Sequence, residues 1–587
     1  MNALTLLTAF LTLHSAGARQ NLSIDIYRMT GGNKVLVKNG DSLTGEVQFR
    51  AVIQTTHPIQ AVEFYVGDDL RESDGSTPYE FKLDTLSEAD GNIKVRFKGF
   101  TTEGQNVEKT FTLVVDNGIN KGADYHVAKG NSLLTEGKYD EAITEGRIAQ
   151  QADKASLGAR ILLARANFAK GLYDKAQKFA EDALELDKSS REAKEVIISL
   201  KVQQAFNAVS RDSNDRKEII DSIKKGLAEA IKYRVALLNE DVDRLSAKPS
   251  SLEYLDAAIR ARRYSLVIDA LAPQLKSNFK NNDLNNRLAF AYLMTNQVTG
   301  AEDVLRNVKK FGEYDGYGFA LSSIVATERG TDTVADDMIK EALLNAPDSL
   351  GLKSAQAFIA LKRNNPRSLT DAANALLKEN ETRSESYYFA AALSNRLKRI
   401  DMGRKYFERA LKYDAADHDM YVEQGNEAIS LALTVGLPGK DKDFQLDYAH
   451  AMFDLALMCR DNSAQALAGI SIACMFQKKA DEALSYAEAS TKAGPSYAAG
   501  WYTYAAALSY KRVDARAAVA KAQDPATISK IKAQEQEYAK TQAIAFTRAQ
   551  ELDARNLKGR AMPDSTLVFN YYNTTGRTPV ISVPSRG

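Results

Sequence analysis

Gly137-Lys-Tyr-Asp-Glu-Ala-Ile143 returns 34 residues later as Gly171-Leu-Tyr-Asp-Lys-Ala-Gln177, and Ala149 and Asp153 return as Ala183 and Asp187. A fixed interval of this size marks a structural unit used repeatedly, each copy leaving an apolar face for its neighbour to cover. Within the unit, Ala142 and Ala176 are small enough to let two antiparallel helices approach closely. Gly137 and Gly171 fall between the helices, where the chain needs left-handed backbone. The same 34-residue ruler places further starts at Lys248, Asn282, Gly316, Leu350, Ser384 and His418 without a slip, then at Ala464 and Ala498. Ala301, Ala335 and Gly403 take the small position of the second helix, and Gly330 falls in the turn. Register kept over five consecutive intervals decides the fold class of this part: an all-α solenoid.

Departures from the ruler are informative too. Residues 191–247 exceed one unit and carry helical spacing at Ile219, Ile223, Leu227, Ile231, Leu238, Val242 and Leu245, which predicts a unit with elongated helices. The copy from His418 to Ser463 has extra residues around Thr434 to Lys440, read as a loop. In the last copy, Asp514 to Thr541 is an insertion, with Asp524 as N-cap and Pro525 opening a helix. Phe546, Ala549, Leu552 and Asp553 then resume the second-helix pattern. Beyond residue 556 a tail carries two β-like runs, Leu567–Tyr572 and Pro579–Val583.

Upstream of Asn117-Gly118 the period is two. Leu43, Val47, Phe49, Ala51 and Ile53 alternate along one candidate strand, Val62, Phe64 and Val66 along the next. Tyr79, Phe81 and Leu83 follow, then Ile93, Val95 and Phe97, and Phe111, Leu113 and Val115. About seven short strands separated by Gly, Asn and Asp turns predict a β-sandwich. The expected organisation is therefore a β-sandwich over 19–117, two helical repeats over 123–190, an elongated repeat over 191–247, repeats over 248–463, and terminal repeats over 464–556 before the tail 557–587.

Composition narrows the job. The chain has 587 residues, net charge +1, two cysteines and five scattered histidines. Near-neutrality argues against nucleic acid as a partner, and the scattered histidines and two thiols offer no metal-ligand spacing. Asn2 to Leu13 is apolar and is followed by Ala16 and Ala18, the small-residue pattern of a signal-peptidase site. Residues 1–18 are thus expected to be a signal peptide and the mature protein to be exported, periplasmic or at the cell surface. No later run is long and apolar enough to span a bilayer.

Two resemblances sharpen the picture. Val62-Glu63-Phe64-Tyr65-Val66, Thr77-Pro78-Tyr79-Glu80-Phe81 with Asp84-Thr85, then Gly91 and Gly104, resemble the bacterial immunoglobulin-like domains, which serve as spacers or binding modules. The 34-residue units resemble tetratricopeptide repeats (TPRs). That resemblance implies a concave surface, lined mainly by the first helices, that holds protein or peptide partners. Its positions fall on Asn286, Phe290, Leu293, Tyr317, Ile324, Thr327, Ser354, Phe358, Leu361, Tyr388, Ala392, Asn395, Val422, Asn426 and Tyr502. The family's carboxylate-clamp arrangement is incomplete, since Val127 and Val422 stand where it needs Lys. The expectation is a non-enzymatic exported scaffold without cofactor or metal. The alternative is a cell-envelope attachment protein whose sandwich binds glycan. Gly436 to Lys440 lacks the spacing of a phosphate loop, and no nucleophile–base signature occurs. Cys459 and Cys474 are read as core thiols, and His126 as a packing residue.

Overall fold

A computed structural model describes residues 22–30, 32–209, 216–275, 280–434 and 436–553. The expected signal peptide and tail lie outside these residues. The chain divides into two compact units, Met1–Ser189 and Ser190–Gly587.

In the first unit, nine strands form two sheets. One has the order β2 (Asn33–Leu36), β1 (Ser23–Thr30), β4 (Glu46–Gln54), β7 (Tyr79–Asp84). The other runs β3 (Ser42–Leu43), β9 (Asn106–Val115), β8 (Gly91–Thr101), β5 (Ile59–Val66), β6 (Asp69–Asp74). The alternating residues read from sequence meet inside. Phe64 stacks on Phe97 at 5.0 Å between centroids, with Phe49 and Phe81 within 6 Å of that pair. All four rings are fully buried. Packed aromatics of this kind can hold a sandwich without a disulfide. Leu43 does not continue into the strand of Val47: Gly45, at φ +71°, breaks the run, and Leu43 pairs with β9 instead.

The junction after the sandwich is built, not slack. Asn117 is 2% exposed; its Oδ1 accepts from Gly45 N at 3.3 Å and from Thr85 Oγ1 at 2.7 Å, while its Nδ2 donates to Thr85 O. His126, in the first helix (Ala123–Thr135), bridges the Gly118 carbonyl (2.8 Å) and Glu145 Oε2 (2.6 Å). The methyl of Thr144, on helix Tyr139–Ala152, lies over Gly45, and Arg147 pairs with Asp84. Sandwich and first helical pair therefore pack as one body.

In the second unit the ruler and the helices coincide. First helices begin at Asn282, Gly316, Leu350, Ser384, His418, Ala464 and Ala498. Only the copy expected from Lys248 starts later, at Leu252 with Ser251 as N-cap. The left-handed turn residue recurs as well, at Arg262, Asn296, Gly330, Asn364 and Lys398, 34 residues apart, and again at Lys478. Glycine occupies it once in this series, so the turn is imposed by helix packing even where a side chain makes positive φ unfavourable. Residues 191–247 form two long helices, Arg191–Val209 and Arg216–Leu245. Around Thr434 to Lys440 the described residues up to Pro438 are non-helical, as read, and the rest of the extra length goes into the long helix Gly439–Cys459. The insertion after Asp514 lengthens both helices of the last pair, Ala498–Lys521 and Pro525–Leu552. Asp524 caps the second, accepting from Ala526 N and Thr527 N. Trp501 donates its indole N–H to Pro495 O at 2.9 Å and stands edge-on to Tyr504.

Candidate functional site

The residues mapped onto a concave surface are placed mostly inside the protein. Asn286, Phe290, Leu293, Ile324, Phe358, Leu361, Tyr388, Asn395 and Tyr502 are buried, as are Thr327, Ser354, Ala392 and Val422; Tyr317 and Asn426 are half-buried. Phe290 meets Tyr264 of the preceding pair edge-on at 6.0 Å, and Asn286 donates to Asp315, the N-cap of the following first helix. Asn395 donates to Glu423 of the next copy. Tyr502 donates to Asp553 Oδ2 at 2.7 Å. Phe290, Phe358 and Tyr388, mapped onto the concave lining, are 3%, 1% and 1% exposed and sit as core residues. First helices here carry small or apolar residues on every face, and a helix of that kind is enclosed by its neighbours.

What lies among those helices is a buried polar network that joins segments far apart in sequence. Asp414, closing the second helix Ile400–Tyr413, accepts from Arg234 Nε at 3.0 Å and from Arg262 Nη2 at 3.2 Å. Arg234 also reaches Glu195 at 3.2 Å. Asp417, the N-cap of the helix His418–Ala432, lies 3.6 Å from Arg262. Arg460 donates to Met294 O at 2.9 Å and sits over the Tyr264 ring. The elongated helices join in: Phe206 packs edge-on against Phe407, and Lys224 pairs with Asp454. Residues 195–294 are thereby tied to residues 407–460, and the helical stack of this unit closes on itself.

Burial sets the charges. It pushes Asp417 up to about 7 despite the nearby Arg262. Asp414 is opposed by the same burial, but Arg262 and Arg234 outweigh it and hold its carboxyl below the usual range. Glu427 is pushed up to about 7 by burial, with Lys398 and Arg396 only partly compensating.

One constellation looks catalytic. His418 Nδ1 lies 2.7 Å from Asp419 Oδ1, and its Nε2 lies 2.8 Å from Ser463 Oγ. Acyl transfer requires a nucleophile that a substrate can reach and a donor pair for the oxyanion. Ser463 and His418 are fully buried, and Ser463 Oγ accepts from Ala466 N as the N-cap of the next helix. Burial also lowers the His418 pKa, its largest influence, against the raising effect of Asp419. The arrangement works as a capping and packing device. Sequence gave no sign of it, because the partners are 45 residues apart. Cys459 and Cys474 are buried free thiols, each raised by burial, Cys474 to about 11. Among the described residues no cluster of metal-ligating side chains is placed to hold an ion, and no helix is long and apolar enough to cross a membrane.

The architecture is that of an N-terminal Ig-type sandwich followed by a TPR-type helical array. Residues 38–96 match the bacterial Ig domain, and residues 157–190 and 384–417 each match the tetratricopeptide repeat. Both repeat matches fall on the 34-residue register. Similar solved structures include the Cut9–Hcn1 hetero-tetramer of APC/C, at 13% identity over 73% of this chain and 96% of that one, TM-score 0.36. Yeast Tom70 is similar at 14% identity over 73% and 98%, TM-score 0.30. So is a tetratricopeptide repeat protein from Parabacteroides merdae, at 13% identity over 44% and 93%, TM-score 0.30. No match to a curated protein was found.

Proposed function

We propose that this chain is a non-enzymatic, exported scaffold that holds protein or peptide partners on its TPR array, the Ig-type domain acting as spacer or second binding module. The observation that carries the reading is Leu344. It is 81% exposed at a second-helix position where the neighbouring copies hold Lys310, Lys378, Lys412 and Lys492. Leu343 beside it, and Phe311 at the same end of the preceding second helix, are also exposed. Large apolar side chains exposed near one another in sequence register, where other copies carry lysine, support a protein contact there. The partner surface therefore includes the outer ends of helices Val298–Phe311 and Asp332–Asn345. Tyr317 and Asn426 remain inner-side candidates, since each keeps part of its surface. The apolar start with Ala16 and Ala18 and the bacterial Ig match support the export part of this reading, with the periplasm or the cell surface as the proposed location.

A photo-cross-linking residue at position 344, compared with one at 378, tests this on the native envelope fraction. Adducts at 344 and none at 378, suppressed by Phe311→Lys, support the reading. Equal labelling at the two positions, or none at 344, refutes the proposed surface. Export is tested by the N-terminal residue of the mature protein, expected to be Arg19.

A further inference from the structure

Phe407 and Phe546 hold the same place in different second helices: each is followed by Ala at the third position, and each helix ends on Asp, Asp414 and Asp553. Phe407 is fully buried, and one wall of its pocket is Tyr421 of the next helical pair, 5.6 Å away. Phe546 touches Tyr502 within its own pair at 5.8 Å and is still 44% exposed. No helical pair follows it among the described residues. On the partner helix, Tyr502, Ala506 and Val513 share one stripe. Tyr502 is 4% exposed, close to its counterparts Tyr388 and Val422 at 1% each, whereas Val513, in the lengthened part of this helix, is 62% exposed. The last pair thus exposes apolar side chains at Phe546, whose counterpart Phe407 is covered by the following pair, and at Val513.

We infer that this open end face is the docking site of the chain's own C-terminal segment, residues 563–587. The described chain stops at Asp553, whose carboxylate is held by Tyr502 at the edge of this face. The apolar run Leu567-Val-Phe-Asn-Tyr-Tyr572 begins about 14 residues later, a reach of up to ~45 Å if extended. A tethered segment meets the face at an effective concentration of the order of millimolar, ahead of any partner in solution. Leu567, Val568, Phe569, Tyr571 and Tyr572 supply apolar side chains to set against Val513 and Phe546.

The test uses the full chain. Hydrogen exchange across 498–553 is compared between the parent and the double variant Leu567→Asp, Phe569→Asp. Exchange roughly tenfold faster in the variant, confined to that pair, is expected if the segment covers the face. Unchanged exchange overturns the proposal. A second variant, Val513→Ser with Phe546→Ser, changes the other side of the contact: tryptic cleavage at Arg577 should quicken, and an unaltered rate again overturns it. Sedimentation of the parent separates out the remaining occupant. A concentration-dependent dimer that the face variant abolishes and the tail variant leaves intact would assign the face to a second copy and overturn the cis assignment.

Discussion

Arg262 occupies a left-handed turn at φ +57° and places its guanidinium 3.2 Å from Asp414, a residue 152 positions further along the chain. An arginine at positive φ is conformationally unfavourable by roughly 1–2 kcal/mol. Helix packing imposes the turn here as at Asn296, Asn364 and Lys398, and at this copy the Arg262 side chain also serves the half-buried Asp414 and the buried Asp417 as their cation. The turn and the closure of the stack are one feature.

Removing that cation should be severe. Arg262→Met leaves Asp414 and Asp417 buried with Arg234 alone, and breaking a buried ion pair from one side costs about 3–5 kcal/mol. Urea unfolding of the variant beside the parent measures it. A loss below about 1 kcal/mol would show that closure does not depend on this contact.

The inner aromatics should behave as core. Phe358→Ala is expected to destabilise by about 3–5 kcal/mol, whereas Leu344→Lys, on the outer face, should stay within about 0.5 kcal/mol. Thermal melts of the two variants in parallel make the comparison. Similar melting temperatures would return Phe358 to the candidate contact residues.

Asp417 and Glu427 predict the direction of the pH dependence. Both titrate near 7 in the folded protein and near 4 when unfolded, because burial disfavours their charged forms. Between those values the native state holds protons that the unfolded state has released, so stability is present at low pH and lost as pH rises through 7. Asp414 and Asp419, held low, act in the opposite sense below about pH 4. The contribution of these two carboxylates should therefore fall from pH 5 to pH 8, with His418, lowered by burial, acting in the opposite sense. Glu427→Gln should raise the melting temperature at pH 8 by about 2–4 °C relative to the parent, with a smaller gain at pH 5. A gain at pH 5 as large as that at pH 8 would contradict the assignment.

At the junction, Asn117→Ala removes three hydrogen-bonding contacts to Gly45 and Thr85. A loss of about 1–3 kcal/mol is expected, and the sandwich and first helical pair should melt together. Far-UV circular dichroism of a 22–189 fragment can follow both signals; a β transition separate from the helical one would make 117–123 a simple linker.

Much of the fold was legible because period and interval are properties of sequence. The alternation of Phe64, Phe81 and Phe97 gave the sandwich core, and the recurrence from Asn282 to His418 gave the helix starts residue by residue. The short outer strands β2 and β6 were not read, since Asn33–Leu36 and Asp69–Asp74 are almost wholly exposed and show no buried alternation. The burial of the inner residues was not legible for a different reason. A repeat interval specifies which side of a helix faces inward, but not how tightly the stack winds. That is decided by Arg234, Arg262 and Arg460 meeting partners 150 to 180 residues away, a relation with no local trace. The turn at Asn296 and Lys398 was hidden too, because sequence marks left-handed backbone clearly only where glycine fills it, as at Gly330.

Trp501 makes this protein an optical instrument with its detector at one end. As the single tryptophan, wedged in the last helical pair against Pro495 and Tyr504, it reports by fluorescence on the terminal repeats alone, while circular dichroism sums over every helix. In a stack whose copies interact mainly with neighbours, the end can loosen before the closed middle does. Coincident curves from the two signals would show that closure through Arg262 extends its cooperativity to the terminus. An earlier fluorescence change would measure, in degrees or molar urea, how far the end stands apart from the rest.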